Sequence, residues 1–401
     1  MKKTIITLII FIAASVKLSI AKEQVSLDPV KKNFSGALWI VRHNISTPEK
    51  IDELLNTIKD SDIKNLFVQV RGRGDAYYDS KYEPRAFDVA EDFDPLKYLL
   101  EKTSKSDIKI HAWVNVSFVL NAEDYPPNEK HILAKHPKWV TYDYKGRPMT
   151  TYSKNELEKN LAEGYFLDPG IPEVRTYFYN IIKDIISKYP VDGIHLDYIR
   201  YPYSGYSYHY KKNLSDFGYN PIALKIFKKK YGFNPLKTNK LKISKSKKIR
   251  QREIFDKFRM DQITEIVKNV EKIVKSKDKN IILSAAVMPR YDRAKEVYFQ
   301  DWTNWIEKNY IDFACVMSYS NNIEIFDEYL KYVNDKRYKD KIKMGIGVIN
   351  QNTDINITYE QIKRTYESEI MGYSLFSFEH DKNFIQELSG LIKNFVNGTN
   401  Q

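Results

Sequence analysis

A single cysteine, Cys315, stands in a chain of 401 residues. An intrachain disulfide is therefore excluded, and the fold must stand on its core. Cys315 lies in the apolar run DFACVM with no activating base nearby, where a small buried residue fits better than a nucleophile. The N-terminal apolar run, Thr4 to Val16, falls short of the roughly 20 residues that a membrane-spanning helix needs. Zinc-finger spacing, RNA-binding motifs and internal repeats are all missing, which argues against a nucleic-acid partner and a solenoid alike. Acids are also in short supply: 64 Lys and Arg against 52 Asp and Glu leave a net charge of +12. A chain 42% hydrophobic and 29% charged is nevertheless well able to build a packed core.

Lys2 and Lys3 precede the N-terminal apolar run, and Ser19-Ile20-Ala21 supplies the small residues of a cleavage site. Residues 1–21 thus read as a secretory signal peptide. The mature chain from residue 22 is expected to be secreted or periplasmic, with no stable membrane insertion; a retained amphiphilic anchor is the alternative. No cysteine follows the cleavage site to take a lipid. Much of the positive excess sits in one run, Lys237 to Arg252 (KTNKLKISKSKKIRQR). Such runs are mostly solvated faces, but this one could contact anionic cell-wall polymers.

Short apolar runs alternate with longer stretches of helical period. The runs are GALWIVR (36–42), NLFVQVR (65–71), KIHAWVN (109–115), DGIHLDY (192–198), IILSAAV (281–287), DFACVMSY (312–319), KIKMGIG (341–347) and YSLFSFE (373–379). Eight strands with intervening helices predict an α/β fold, a (β/α)8 TIM barrel. Its core spans about residues 34–395 of one domain, 22–401. Ile51, Leu54, Leu55 and Ile58 behind Thr47-Pro48 predict one outer helix, and Pro172 opens another to about Lys188. Residues 116–171 and 199–280 form long insertions after strands three and four. The second of these should contain a helix near Ile254–Val274. Both leave the face where barrel enzymes keep their sites.

Side chains alternate across a strand, so parity sorts inward from outward positions. In DGIHLDY, Ile194 and Leu196 suit packing on helices, which turns His195 and Asp197 into the barrel, with Asp197 at the mouth. The same test brings Arg42, Gln69 and Arg71, His111, Trp113 and Asn115, Tyr319, and Ser377 and Glu379 toward that mouth. Arg42 and Arg71 could equally be partners of the acids, and His195 an oriented hydrogen-bonding group. At Asp168, in FLDPG, turn duty competes with substrate contact, and Asp192 is expected to be structural. A metal site using His111 and His195 is a further alternative, but strand one lacks the paired histidines of metal-dependent barrel hydrolases. No metal or cofactor is expected.

Two carboxylates at the mouth, Asp197 and Glu379, together with 30 tyrosines in the chain, fit hydrolysis of glycosidic bonds. Sugar rings present apolar C–H faces to aromatics, and SGYSYHY (204–210) follows the key strand. The ordered set GALWIVR, LFVQVRGRGDAYYDSKYEP, KIHAWVN, FLDPGIPEVR and DGIHLDYIRYP resembles the glycosyl hydrolase-like 10 family over residues 34–380. The resemblance implies an exported barrel hydrolase, a glycoside hydrolase acting on a cell-envelope polysaccharide such as peptidoglycan glycan strands. It places the functional acid at Asp197, with Tyr198, Arg200 and Tyr201 lining the site. Many members carry a second acid directly after the first. Here that position is Tyr198, so the second carboxylate is open and a glycan-binding barrel without catalysis is the alternative. The acid of chitinase-type barrels would fall at Ile199, which disfavours that mechanism. A nearby arginine would lower the pKa of Asp197 and suit it to the nucleophile or base role, leaving Glu379 as acid.

Overall fold

The computed structural model describes residues 34–125, 127–203, 214–240, 242–335, 337–348, 354–378 and 382–398. The expected signal peptide, the SGYSYHY run and Glu379 lie outside the described residues. The eight expected strands are β1 (Ser35–Ile40), β2 (Ile63–Arg71), β3 (Lys109–Asn115), β6 (Gly193–Asp197), β7 (Ile282–Val287), β8 (Phe313–Met317), β9 (Ile342–Gly347) and β10 (Gly372–Phe376). They pair in parallel and close in the order β1-β10-β9-β8-β7-β6-β3-β2. Two short strands, β4 (Phe118–Asn121) and β5 (Gly164–Phe166), form an antiparallel pair within the segment that links β3 to β6.

Parity divides the barrel into two apolar sets. Leu38, Ile40, Leu66, Val68, Ile110, Val114, Ile194 and Leu196 pack outward in the main core with the helices. Ala37, Trp39, Phe67, Trp113, Ala286, Phe313 and Cys315 form a separate cluster inside the barrel. Burial of each large aliphatic side chain contributes about 1.5–3 kcal/mol, so a one-residue slip of any strand would be costly.

The helices follow their sequence signals. Pro48–Ile58 is capped by Thr47, whose side chain accepts from the Lys50 N–H, and it buries Ile51, Leu54 and Ile58. Pro172–Lys188 runs from Pro172 as expected, burying Val174, Phe178, Ile181, Ile182 and Ile185. The helix expected near 254–274 is longer, Lys245–Lys277, and it absorbs part of the basic run. None of the described helices is long and apolar enough to cross a membrane.

Candidate active site at the barrel mouth

The register places Trp113 beside His195 and Asn115 beside Asp197, so the polar inward residues of β3 and β6 form two layers. His195 is the deeper one and is fully buried. Its Nε2 accepts from the Trp39 indole N–H at 3.0 Å, and its ring stacks on Phe67 at 4.2 Å. An indole nitrogen only donates, so the proton of the neutral imidazole sits on Nδ1 and is given to Ser284 Oγ at 2.9 Å. Burial holds the His195 pKa well below its usual value. With both nitrogens engaged, His195 has none to offer a metal or a substrate, and it acts as a packed floor to the site. His111 lies one layer below, over Gly193, where a Cβ would come within 2.1 Å of His111 Nδ1. Its Nε2 is 3.3 Å from Asn65 Oδ1, and burial lowers its pKa to about 4. Among the described residues no group of three His, Cys, Asp or Glu could hold a metal ion.

Asp197 ends β6 at the mouth, 8% exposed. Its Oδ1 accepts from the Tyr198 N–H at 2.6 Å. Burial pushes its pKa up to about 6, overcoming the opposing pull of the Tyr198 N–H, the Arg200 charge and the Trp113 indole, while the charge of Glu163 adds to the rise. The expectation that an arginine would win is therefore reversed: desolvation outweighs it. Around Asp197, Trp113 donates to Asn115 Oδ1 at 2.9 Å, and Asn115 donates to the Gly72 carbonyl at 2.8 Å. This chain of bonds fixes the indole. Tyr319 stacks on Phe376 at 5.1 Å, half-buried at the same opening, and the Asp197 charge helps to raise its pKa.

Tyr198 takes a left-handed backbone, with φ of 47°. Its ring stacks on Phe118 of β4 at 4.7 Å, which directs the hydroxyl to Glu163 Oε2 at 2.5 Å. Arg200 lies among three rings, 4.6 Å from that of Tyr198, 5.6 Å from Phe166 and 5.2 Å from Tyr298. Its Nε is buried and meets no hydrogen-bond partner among the described residues.

The other expected contacts have partners of their own. Arg71 does not share a face with Gln69, because the β2–β3 register shifts between these two residues. Its guanidinium is fully buried, paired with Glu83 at 2.5 Å and packed on Tyr177 and Phe178 of the helix Pro172–Lys188. Arg42 is tied to Gln69 Oε1 at 3.2 Å and lies 4.0 Å from Asp75. Asp168 is fully buried in its turn, accepting from the Gly170 N–H at 2.8 Å, Thr141 Oγ1 at 3.1 Å and Tyr201 at 3.2 Å. Tyr201 is equally buried, so this pair braces the loop beneath the mouth. At the bottom of β6, Asp192 accepts from the Ile110 N–H at 2.9 Å and pairs with Lys109, as expected of a structural acid.

Sequence reasoning missed Glu163. It is exposed, directly precedes β5, and lines a cleft of about 600 Å³ with Arg73, Asn121, Glu123, Lys154 and Glu158. The available signal was the acid in AEGYFLDPG, just ahead of a short aromatic run. The pairing of Asn121 with Gly164 joins β5 to β4 and sets Glu163 within reach of the Tyr198 hydroxyl. That pairing requires glycine, since a Cβ at Gly164 would lie 2.1 Å from the Leu120 carbonyl.

In shape, the chain is similar to the glycoside hydrolase domain of PgaB (BpsB) from Bordetella bronchiseptica, with a TM-score of 0.67 and 13% identity over 89% of this chain and 98% of that one. It is similar too to alpha-L-fucosidase isoenzyme 2 from Paenibacillus thiaminolyticus, with a TM-score of 0.59 and 12% identity over 91% and 49% of the two chains. At such identities the likeness carries the fold alone. In sequence, glycosyl hydrolase YngK of Bacillus subtilis (strain 168) is 28% identical over 176 residues, covering 41% of this chain and 31% of the relative. Glycosyl hydrolase DigH of Escherichia coli (strain K12) is 28% identical over 144 residues, covering 34% and 30%. The matched stretches thus span less than a third of either relative. Residues 34–367 match the Glycosyl hydrolase-like 10 family. A closed eight-stranded barrel with its acid at the end of β6, and a family match over most of its length, make this chain a member of the glycosyl hydrolase-like 10 family.

Proposed function

We propose that the protein is a secreted glycoside hydrolase that cleaves O-glycosidic bonds of a bacterial cell-wall polysaccharide, with Asp197 as a principal catalytic carboxylate. The observation that carries this reading is the state of Asp197: a carboxyl at the barrel mouth whose pKa is pushed up to about 6, so that near neutral pH it still supplies a proton. The raised pKa favours Asp197 as the general acid rather than the nucleophile. Tyr319, partly exposed, provides aromatic surface at the same opening, and aromatic faces suit the C–H faces of sugars.

Relatives named glycosyl hydrolases support the reaction class. The exported location rests on residues 1–21, and the substrate on the family resemblance. In the helix Lys245–Lys277, Lys245, Lys247 and Arg250 are exposed and suited to anionic wall polymers, whereas Arg252 is engaged with Asp216 and Asp256. Binding of the mature protein to purified walls should weaken as salt is raised; salt-independent binding would remove that role.

The deciding experiment incubates mature protein with peptide-free peptidoglycan glycan and with chitin oligosaccharides, beside Asp197→Asn, and analyses the products. Fragments from the parent and none from the variant are expected. One observation favours a second reading. The position after Asp197 holds Tyr198 instead of an acid, so a binding-only barrel would bind glycan equally in both proteins and release no fragments.

A further inference from the structure

One residue touches two carboxyls at the mouth. The Tyr198 main-chain N–H lies 2.6 Å from Asp197 Oδ1, and its hydroxyl lies 2.5 Å from Glu163 Oε2. The ring between them is clamped on Phe118 and Arg200. Glu163 is exposed and lines the 600 Å³ cleft, so its carboxylate faces open space while Asp197 is nearly enclosed. We propose that Glu163, delivered by the β4–β5 pair, is the second carboxylate of the reaction and acts as the base on the attacking water. Tyr198, standing where many family members carry a second acid, is the positioning residue that aims it.

This inference rests on the glycosidase reading above. In it, the Asp197 carboxyl gives its proton to the glycosidic oxygen as the bond to the anomeric carbon breaks. A water oxygen bonds to that carbon from the opposite face, and the water's proton passes to Glu163. One water is consumed and two sugar chain ends are released. Such a reaction requires the two carboxyls to stand roughly 6.5–9.5 Å apart, the separation at which a water fits between acid and base. The first product is then the inverted anomer.

The test compares the parent protein, Asp197→Asn, Glu163→Gln, Glu163→Ala and Tyr198→Phe on peptide-free glycan strands and chitin oligosaccharides, with oligosaccharide affinity measured in parallel. Glu163→Gln keeps an oxygen for the Tyr198 hydroxyl and removes only the charge, and the side chain is exposed, so folding is undisturbed. Its kcat should fall by about 10²-fold or more with affinity within about twofold of the parent. The alkaline limb of its residual activity should move to lower pH, because the charge that helps raise the Asp197 pKa is gone. Glu163→Ala should regain rate in added azide, which attacks the anomeric carbon to give a glycosyl azide. Tyr198→Phe should show a smaller loss. Parent-like kcat in Glu163→Gln with an inactive Asp197→Asn would overturn the role of Glu163 and leave the glycosidase reading intact. Retained configuration in the product would overturn the base role. A parent protein that cleaves none of these glycans would overturn the glycosidase reading itself, and this inference with it.

Discussion

Asp197 at the barrel mouth and Asp216 in the insertion after β6 are both buried aspartates with arginines and aromatic rings nearby, yet their partners differ. Asp216 Oδ1 accepts from Arg259 Nη1 at 2.7 Å, and its Oδ2 takes Arg252 at 2.8 Å and the Tyr219 hydroxyl at 2.5 Å. That knot ties the helix Lys245–Lys277 to the loop before the helix Pro221–Tyr231. Asp197 has no ion pair among the described residues. Its nearest cation, Arg200, is ringed by aromatics instead. A buried acid with matched donors is a structural fastening, because each charge is repaid by a fixed geometry. One left short of partners carries a raised pKa and the capacity to transfer a proton.

The sharpest way to break this contrast is to neutralise each acid in turn. Asp197→Asn should lower turnover by about 10²–10⁴-fold, the usual loss on removing a general acid, measured by reducing-end release. The same change should leave the protein as stable or more so. The folded pKa of Asp197, about 6, lies above its ordinary value of 3.8, so the ionised form destabilises the fold. The cost is absent below the unfolded pKa and fully present above pH 6, where removing it should stabilise by up to about 3 kcal/mol at 1.36 kcal/mol per unit. Asp216→Ala should do the reverse. Leaving the fully buried Arg259 with only the partly exposed Asp256 as its acid costs up to about 3–5 kcal/mol, read as a lower denaturation midpoint, with turnover per folded molecule unchanged. A destabilised Asp197→Asn, or an Asp216→Ala with an undisturbed midpoint, would erase the distinction.

The difference between these two acids also marks how far the sequence could be read. All eight strands were legible because period-2 patterning and apolar composition agree; an N-cap with a proline announced the helix at 48–58, and a proline alone that at 172–188. Parity placed His195 and Asp197 inside the barrel because β6 is regular. It failed at Arg71, where a register shift turns the side chain away from the mouth and into a pair with Glu83. It was silent at Glu163, 34 residues upstream of Asp197, which a glycine-dependent pairing outside the barrel brings to the Tyr198 hydroxyl. The balance of burial against charge at Asp197 was not readable either. Arg200 is two positions away in sequence, but whether it neutralises the acid depends on the three rings that hold it aside.

The pH dependence of the reaction tests that balance directly. A general acid works while protonated, so kcat/KM should fall above about pH 6, roughly tenfold for each further unit. Alkaline decline beginning only well above pH 8 would mean that Asp197 is not the acid. The smallest expected effect is the most specific. Arg200 lowers the Asp197 pKa while burial raises it, so Arg200→Met, which keeps an apolar filling among the rings, should move the alkaline limb to higher pH by a fraction of a unit. Glu163→Gln should move it the other way. Opposite displacements from two single substitutions require that both charges act on one carboxyl at the mouth, and a common direction would show that the limb reports some other group.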